Sequence, residues 1–488
     1  MTPSAVALSV ILAIVVLGSA LGLYAGTRYK MDLEQWTVAG RGFGLLFVWL
    51  LMAGESYTTF SLLGASGWAY SQGGPALYIL AYMMLVFVVS FYIIPPIWEI
   101  GRQYSLQTQS DFFQQRYNSK SLAVVVALVG LVFMIPYLQL QLTGLGIIVE
   151  VASFEGISRA PAMLIAFVLV ASFVFVSGIR AVAWISVLKD LLLLFVVATV
   201  GIAVPKIYFG GVGPMFSALM RSRPTHLTMP GATVNHGHAW FISTVLLTSL
   251  GGYIWPHTMG SCFTAKSSNT LRRNAVIMPL YGMTVPLVFL VGFSGILIVP
   301  GLKNGDLSLL TVVRKTFSPR FLGIVGGAGA LTAMVPAALQ ILTAATLFAK
   351  NVYRPLFAPH MSDQQVARLG RAMVLVIAAT ALYFAIYSST TLVGLLLIGY
   401  AGITQLFPGI VLGLFSRRVS STTILCGLVV GVVTVATLIL GNHDPFFGLN
   451  AGFVALCLNF LTVGVLNLAR SSSPAPPPET ASARATRG

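Results

Sequence analysis

Thirteen apolar runs, most of them long enough to cross a bilayer, leave this chain few choices other than a polytopic helical membrane protein. They fall at about 4–25, 43–68, 75–98, 120–150, 160–179, 182–205, 238–263, 274–299, 321–349, 368–388, 391–416, 422–441 and 448–468. A soluble core of this length would need a charged surface, about 25% of residues. Here 8% of 488 residues are charged and the mean hydropathy is +0.89. The net charge of +16 does not point to nucleic acid, because the basic residues are scattered through short loops and form no stripe. The first run has no basic n-region and is followed by further spans, so it does not read as a cleavable signal. Cys262, Cys426 and Cys457 show no CxxC spacing; the last two lie in apolar runs and read as small hydrophobes.

The loops give an orientation. Cytoplasmic loops carry the Lys/Arg excess. With the N-terminus outside, the inner loops hold Arg28, Lys30, Arg41, Arg102, Arg116, Lys120, Arg180, Lys266, Arg272, Arg273, Lys350, Arg354, Arg368, Arg371, Arg417, Arg418, Arg470, Arg484 and Arg487, 19 of the 28 basic residues. Eight lie outside and Lys189 falls within a span. Thirteen spans then place the C-terminus in the cytoplasm.

Two runs carry glycine and polar interruptions at similar depth, at Gly54 and at Gly251-Gly252. Interrupted helices at matching positions in two halves point to an inverted-repeat transporter with its site at the midplane; unrelated glycine kinks are the plain alternative. The repeats would be 43–205 and 238–416, joined by an extracytoplasmic loop at 206–237. Residues 1–42 add an N-terminal helix and first cytoplasmic loop, 417–469 two further helices, and 470–488 a Pro-, Ser- and Ala-rich tail expected to be disordered.

Three groups of residues stand out. Gly54-Glu55-Ser56-Tyr57-Thr58 puts a carboxylate and hydroxyls at membrane depth, where ionisable groups are rare and functional. A half-helix starting near Tyr57 and Thr58 would offer backbone N–H groups to an anion such as a carboxylate. Glu55 is tolerated beside an anion in its neutral form, which makes it a candidate proton carrier; a structural kink with a satisfied Glu55 is the other reading. In the sixth run, Ser186, Lys189 and Asp190 share one helix face, as a coupling device or as a structural ion pair. In the seventh, Thr248, Ser249, Gly251, Gly252 and Tyr253 are candidate substrate contacts, with Trp255 covering them or packing, and His257 able to titrate. Gln139, Gln141, Gln340, Gln405 and Tyr400 are polar groups in spans that either bridge helices or meet substrate. His236 and His238 lack a third ligand, so no metal site is read. No P-loop, Rossmann fingerprint, nucleophile elbow or triad spacing occurs, which argues against an ATP-driven pump and against an enzyme.

The stretches AGESYTTFSLLGASGWAYSQG, SLQTQSDFFQQRYNSKSL, GIRAVAWISVLKD, TAKSSNTLRRNAVIMPLY, VPAALQILTAATLFAKNVYRP and GYAGITQLFPGIVLGLFSRR resemble the sodium:solute symporter family. WPHTMGSCFTAKSSNTLRRNAVIMPLY and MVPAALQILTAATLFAKNVYR resemble its bacterial monocarboxylate permease branch. The resemblance implies an all-α, five-plus-five inverted-repeat fold with broken first and sixth core helices, in the bacterial cytoplasmic membrane. It implies uptake of small monocarboxylates such as lactate, pyruvate or acetate by alternating access, with no cofactor and no obligate protein partner.

The resemblance also implies a coupling sodium ion held by carbonyls corresponding to Gly54 and Tyr57 and by a hydroxyl pair in the ninth span, with an acidic residue of the sixth span nearby. In this chain the hydroxyl pair falls on Val335 and Pro336, and the acidic position on Ser186. A hard cation wants several oxygen ligands, and Val335 and Pro336 supply none. Lys189 adds a positive charge on the face of Ser186. The expectation is therefore proton coupling, or at least independence from sodium, through Lys189, Asp190 and Glu55. The alternative is sodium symport of another small solute, an amino acid, urea or a sugar, on the same fold; a membrane sensor is a third class.

Overall fold

The computed structural model describes residues 1–26, 38–176, 179–416 and 418–471. The basic residues Arg28, Lys30, Arg417, Arg484 and Arg487 and the tail beyond Ser471 lie outside the described residues, as do the side chains of Arg180 and Arg470. Within them the regular elements are helices, with two isolated bridges, Phe43 to Ala265 and Phe446 to Leu449.

In chain order the helices are α1 (Pro3–Gly26), α2 (Leu45–Ser56), α3 (Ala65–Ser71), α4 (Tyr78–Gln103), α5 (Gln109–Tyr117), α6 (Lys120–Ala152) and α7 (Arg159–Val176). Then follow α8 (Ile179–Phe209), α9 (Val212–Ser222), α10 (His238–Gly251), α11 (Pro256–Cys262), α12 (Ser268–Gly282), α13 (Val285–Ile298) and α14 (Ser308–Thr316). The chain closes with α15 (Pro319–Thr346), α16 (Arg354–Phe357), α17 (Asp363–Tyr387), α18 (Leu392–Ile403), α19 (Phe407–Phe415), α20 (Ser421–Leu440) and α21 (Ala451–Ser471). Among the described residues ten helices are long and apolar enough to span a membrane, and up to eleven if α2 and the segment Phe60–Ser71, bent by 56°, form one broken span. The apolar helices Arg159–Ala171 and His238–Gly251 are shorter. Each of the thirteen apolar runs thus coincides with a helical element, though not each with a single helix of full length.

α15 lies at the centre, packed against α1, α6, α8 and α17. Its small residues allow this. A side chain at Gly326 or Gly327 would strike Ile11 or Ile14 of α1, at 2.6 Å in each case. Close approach of small residues is how helices adhere where lipid removes the hydrophobic drive. α2 runs beside α8 and α12, which places Gly54 against α8 and α15.

Both expected interruptions are present, and one is displaced. α2 continues helically through Gly54 and Glu55 and ends at Ser56, with Tyr57 at φ −102°, ψ 89°. The sequence suggested a break beginning at Gly54, with the next half-helix starting near Tyr57 and Thr58. Gly54 serves a different need: a β-carbon there would lie 2.7 Å from Ser186 Oγ and 3.2 Å from Val335 Cγ1. The second helix opens after Gly251, as expected. It resumes at Pro256, which suits a first helical position because it has no N–H to leave unpaired.

Candidate functional site

The two openings face each other. Glu55, at the last turn of α2, is buried, and its Oε1 accepts a hydrogen bond from Ser261 Oγ of α11. Tyr137 of α6 donates its hydroxyl to the Glu55 carbonyl at 3.2 Å. Glu55 Oε2 and His257 Nδ1 are buried without a partner, and both residues line one cavity of about 40 Å³. Ser56, Gly252 and Tyr253 also line it. The remaining wall is largely aromatic, with Phe60, Tyr82, Phe87, Tyr137, Trp255 and Tyr400. Trp255 lies tilted 4.8 Å from Tyr137 and edge-on 5.3 Å from Tyr400, ring centre to ring centre, and is 2% exposed. Its burial places it in the cavity wall and not in an interfacial belt.

Not every residue singled out in the sequence reaches this cavity. Thr248 turns its hydroxyl back to the Thr244 carbonyl at 2.6 Å, and Ser249 points to the Tyr82 carbonyl at 3.5 Å. Gln139 donates to the Phe384 carbonyl of α17 at 3.3 Å, and Gly251 packs on Thr404 and Tyr400. Thr58 accepts from the Phe60 amide at 3.1 Å, so one amide expected to meet an anion is capped by the chain itself. The Tyr57 ring leaves the cavity and lies 4.2 Å from that of Tyr281. Ser261, Tyr137 and Tyr281 were not singled out in the sequence. Ser261 sits about one turn past His257 on α11, so helical spacing from His257 offered a signal for it.

On the other side of α2 is a second constellation. Lys189 is fully buried, and its Nζ donates to the carbonyls of Tyr57 at 3.0 Å and Gly54 at 3.3 Å. It also lies 2.9 Å from Asp190 Oδ1. An ammonium has three protons and no acceptor capacity, and three acceptors surround this one. Asp190 Oδ1 accepts a further bond from Tyr281 at 3.0 Å, while Oδ2 has no partner. Neighbours on a helix do not face each other; this pair closes because both side chains bend towards the gap between α2 and α12.

The place where the resemblance implies a sodium ion does not fit one. The Gly54 and Tyr57 carbonyls are engaged by Lys189. Ser186 Oγ is spent on the Val182 carbonyl at 3.0 Å, and what faces Gly54 from α15 is a methyl of Val335. A second cation 4 Å from the ammonium would be repelled by about 4 kcal/mol at an effective dielectric constant near 20, roughly a thousandfold in affinity. No cluster of three or more His, Cys, Asp or Glu able to hold a metal occurs among the described residues.

Comparison with known proteins bears on what such a site does. The sodium:solute symporter family profile matches residues 36–431. The chain is 44% identical over 475 residues to the uncharacterized symporter YhjB of Bacillus subtilis, covering 95% of this chain and 96% of that one. It is 28% identical over 434 residues to a monocarboxylate transport permease protein of Rhizobium johnstonii, covering 87% of each. Among solved structures, a Na+-coupled sialic acid symporter in a substrate-bound outward-open state superposes with a TM-score of 0.78 at 16% identity, covering 96% of this chain and 98% of that one.

Proposed function

The chain belongs to the sodium:solute symporter family, and from that premise we propose that it is a symporter for small monocarboxylates in which Lys189 stands where a coupling sodium ion would sit. The observation that carries this reading is the Lys189 ammonium on the carbonyls of Gly54 and Tyr57. Membership makes the protein a membrane transporter of a small solute. The finer statements are our proposal: thirteen spans, repeats at 43–205 and 238–416, the N-terminus outside and the C-terminus in the cytoplasm.

The substrate class is supported by the Rhizobium permease, whose name specifies monocarboxylates, and by a cavity sized for a few heavy atoms between two helix openings. The substrate would contact Glu55, Ser56, Gly252 and Tyr253. With sodium displaced by a tethered cation, the proton is the coupling ion and Glu55, between the two openings, is its carrier.

One observation favours a second reading. Glu55 Oε2 is unpartnered in a cavity walled by aromatic rings, chemistry that also suits an ammonium group. Relatives named for proline share 23–25% identity. An amino acid would then replace the simple acid.

Uptake of labelled lactate into proteoliposomes, with proton and sodium gradients imposed separately, tests the proposal. A proton gradient should drive accumulation, and unlabelled acids should compete where proline does not. Accumulation driven by sodium alone would defeat the coupling reading, and competition by proline alone would defeat the substrate reading.

A further inference from the structure

Gln340 of α15 has no part in the site above, yet it is the most anomalous polar group in the core. It is 0% exposed, and neither its Nε2 nor its Oε1 has a hydrogen-bond partner. Buried amides are nearly always paired, because an unpaired one gives up its hydrogen bonds to water and regains none. Gln340 lines a cavity of about 210 Å³ between α15, α6 and α17, whose other walls include Met134, Leu138, Phe348 and Ile377. The one other polar lining residue, Thr380, spends its hydroxyl on the Val376 carbonyl at 2.8 Å.

Water is a poor occupant, because a buried water needs two to four polar partners and apolar cavities stay dry. An ion is a worse one, since the lining carries no charged residue and a buried charge needs a partner. The chemistry left is an apolar body with one neutral polar end. A carboxamide side chain offers a donor and an acceptor side by side. Its full complement is a second carboxamide or a protonated carboxylic acid, which closes two parallel hydrogen bonds. The volume lies under the roughly 300–1,000 Å³ of sites for drug-sized ligands, so the occupant is small. Val376, which lines the cavity, is 53% exposed on the outer face of the bundle, which gives access from the lipid.

We propose that the cavity around Gln340 binds a small neutral amphiphile, an alkyl chain ending in a carboxamide or carboxylic acid, entering from the bilayer. The occupant would brace α15 against α6 and α17. This site does not depend on which solute is transported.

The test uses the full-length protein in lipid nanodiscs and an octanamide bearing a photoreactive diazirine on its chain. Saturable labelling is expected within 131–138 and 373–380, suppressed by excess octanamide. Gln340→Leu should lower it at least tenfold, and Ala344→Leu, which fills the cavity and keeps the amide, should do the same. Gln340→Leu removes an unsatisfied group, so it should melt no lower than the parent protein. Labelling that excess octanamide does not suppress, or that persists in either variant, overturns the proposal.

Discussion

Lys189 brings three protons to three acceptors in the protein interior, and the cost of burying it is offset only while all three remain. Lys189→Met should therefore strip Asp190 and two carbonyls of their partner and lower stability by about 3–5 kcal/mol, the usual result of breaking a buried pair on one side. Lys189→Met with Asp190→Asn should recover part of that loss; melting curves of the purified variants would show it, and equal melting of single and double variants would count against the pairing. In transport, Lys189→Ala and Glu55→Gln should both reach the membrane and lose gradient-driven accumulation. Gly54 makes a narrower case. Gly54→Ala should fail through contact with Ser186 Oγ, 2.7 Å from the added carbon, and Ser186→Gly should restore it, read as uptake by the double variant. The rarity of charge in apolar runs made Lys189, Asp190 and Glu55 legible before any coordinates. Their acceptors were less so: backbone carbonyls carry no side-chain signature, and only the family resemblance pointed to Gly54 and Tyr57. Polar residues such as Thr248 and Gln139 looked equivalent to Ser56 in sequence, because spacing does not tell which hydroxyl will turn back to its own helix.

The two broken helices share a design at the level of the element. Each opening frees backbone carbonyls, and each is answered by a side chain from another helix. Lys189 of α8 meets Gly54 and Tyr57, and Gln109 of α5 donates to Ile254 in the second opening. α5 is itself anchored. Thr108 and Asp111 form a capping box, and Asp111 accepts from Lys350 at 2.8 Å and Asn351 at 2.9 Å. Those partners hold its carboxyl below the usual range against the opposing effect of burial. Gln109→Leu should release the Ile254 carbonyl and loosen α11, whose Cys262 is buried. In a Cys426→Ser, Cys457→Ser background, a membrane-permeant thiol reagent should modify Cys262 at least tenfold faster in Gln109→Leu than in Gln114→Ala, which changes an exposed residue of the same helix. Equal rates would deny α5 this role. The second opening was legible from the two glycines Gly251 and Gly252. The first lies three residues past its glycine, at Tyr57, whose carbonyl accepts from Lys189.

For the molecule as a whole, the order of helices followed from apolar run length and turn residues. The arrangement that puts α15 at the centre did not, since it depends on long-range packing of small residues that reads in sequence as mere glycine richness. The loop before α10 offers a pH test of packing at one end of the bundle. His236 sits 5.1 Å from Trp68 and 4.4 Å from Trp240, ring centre to ring centre, and burial pulls its imidazole from 6.5 down to about 4. The folded chain then binds fewer protons than the unfolded chain between about pH 6.5 and 4, so this packing weakens as pH falls through that window. Tryptophan emission should change there and stay flat in His236→Gln; a change that persists in His236→Gln would place its cause elsewhere. The central matter remains which cation occupies the first opening. Equilibrium binding of radioactive sodium to the purified protein addresses it directly: we expect no saturable binding, because Lys189 already holds the carbonyls of Gly54 and Tyr57. Saturable binding of one sodium ion per chain, abolished when that opening is altered, would contradict the account.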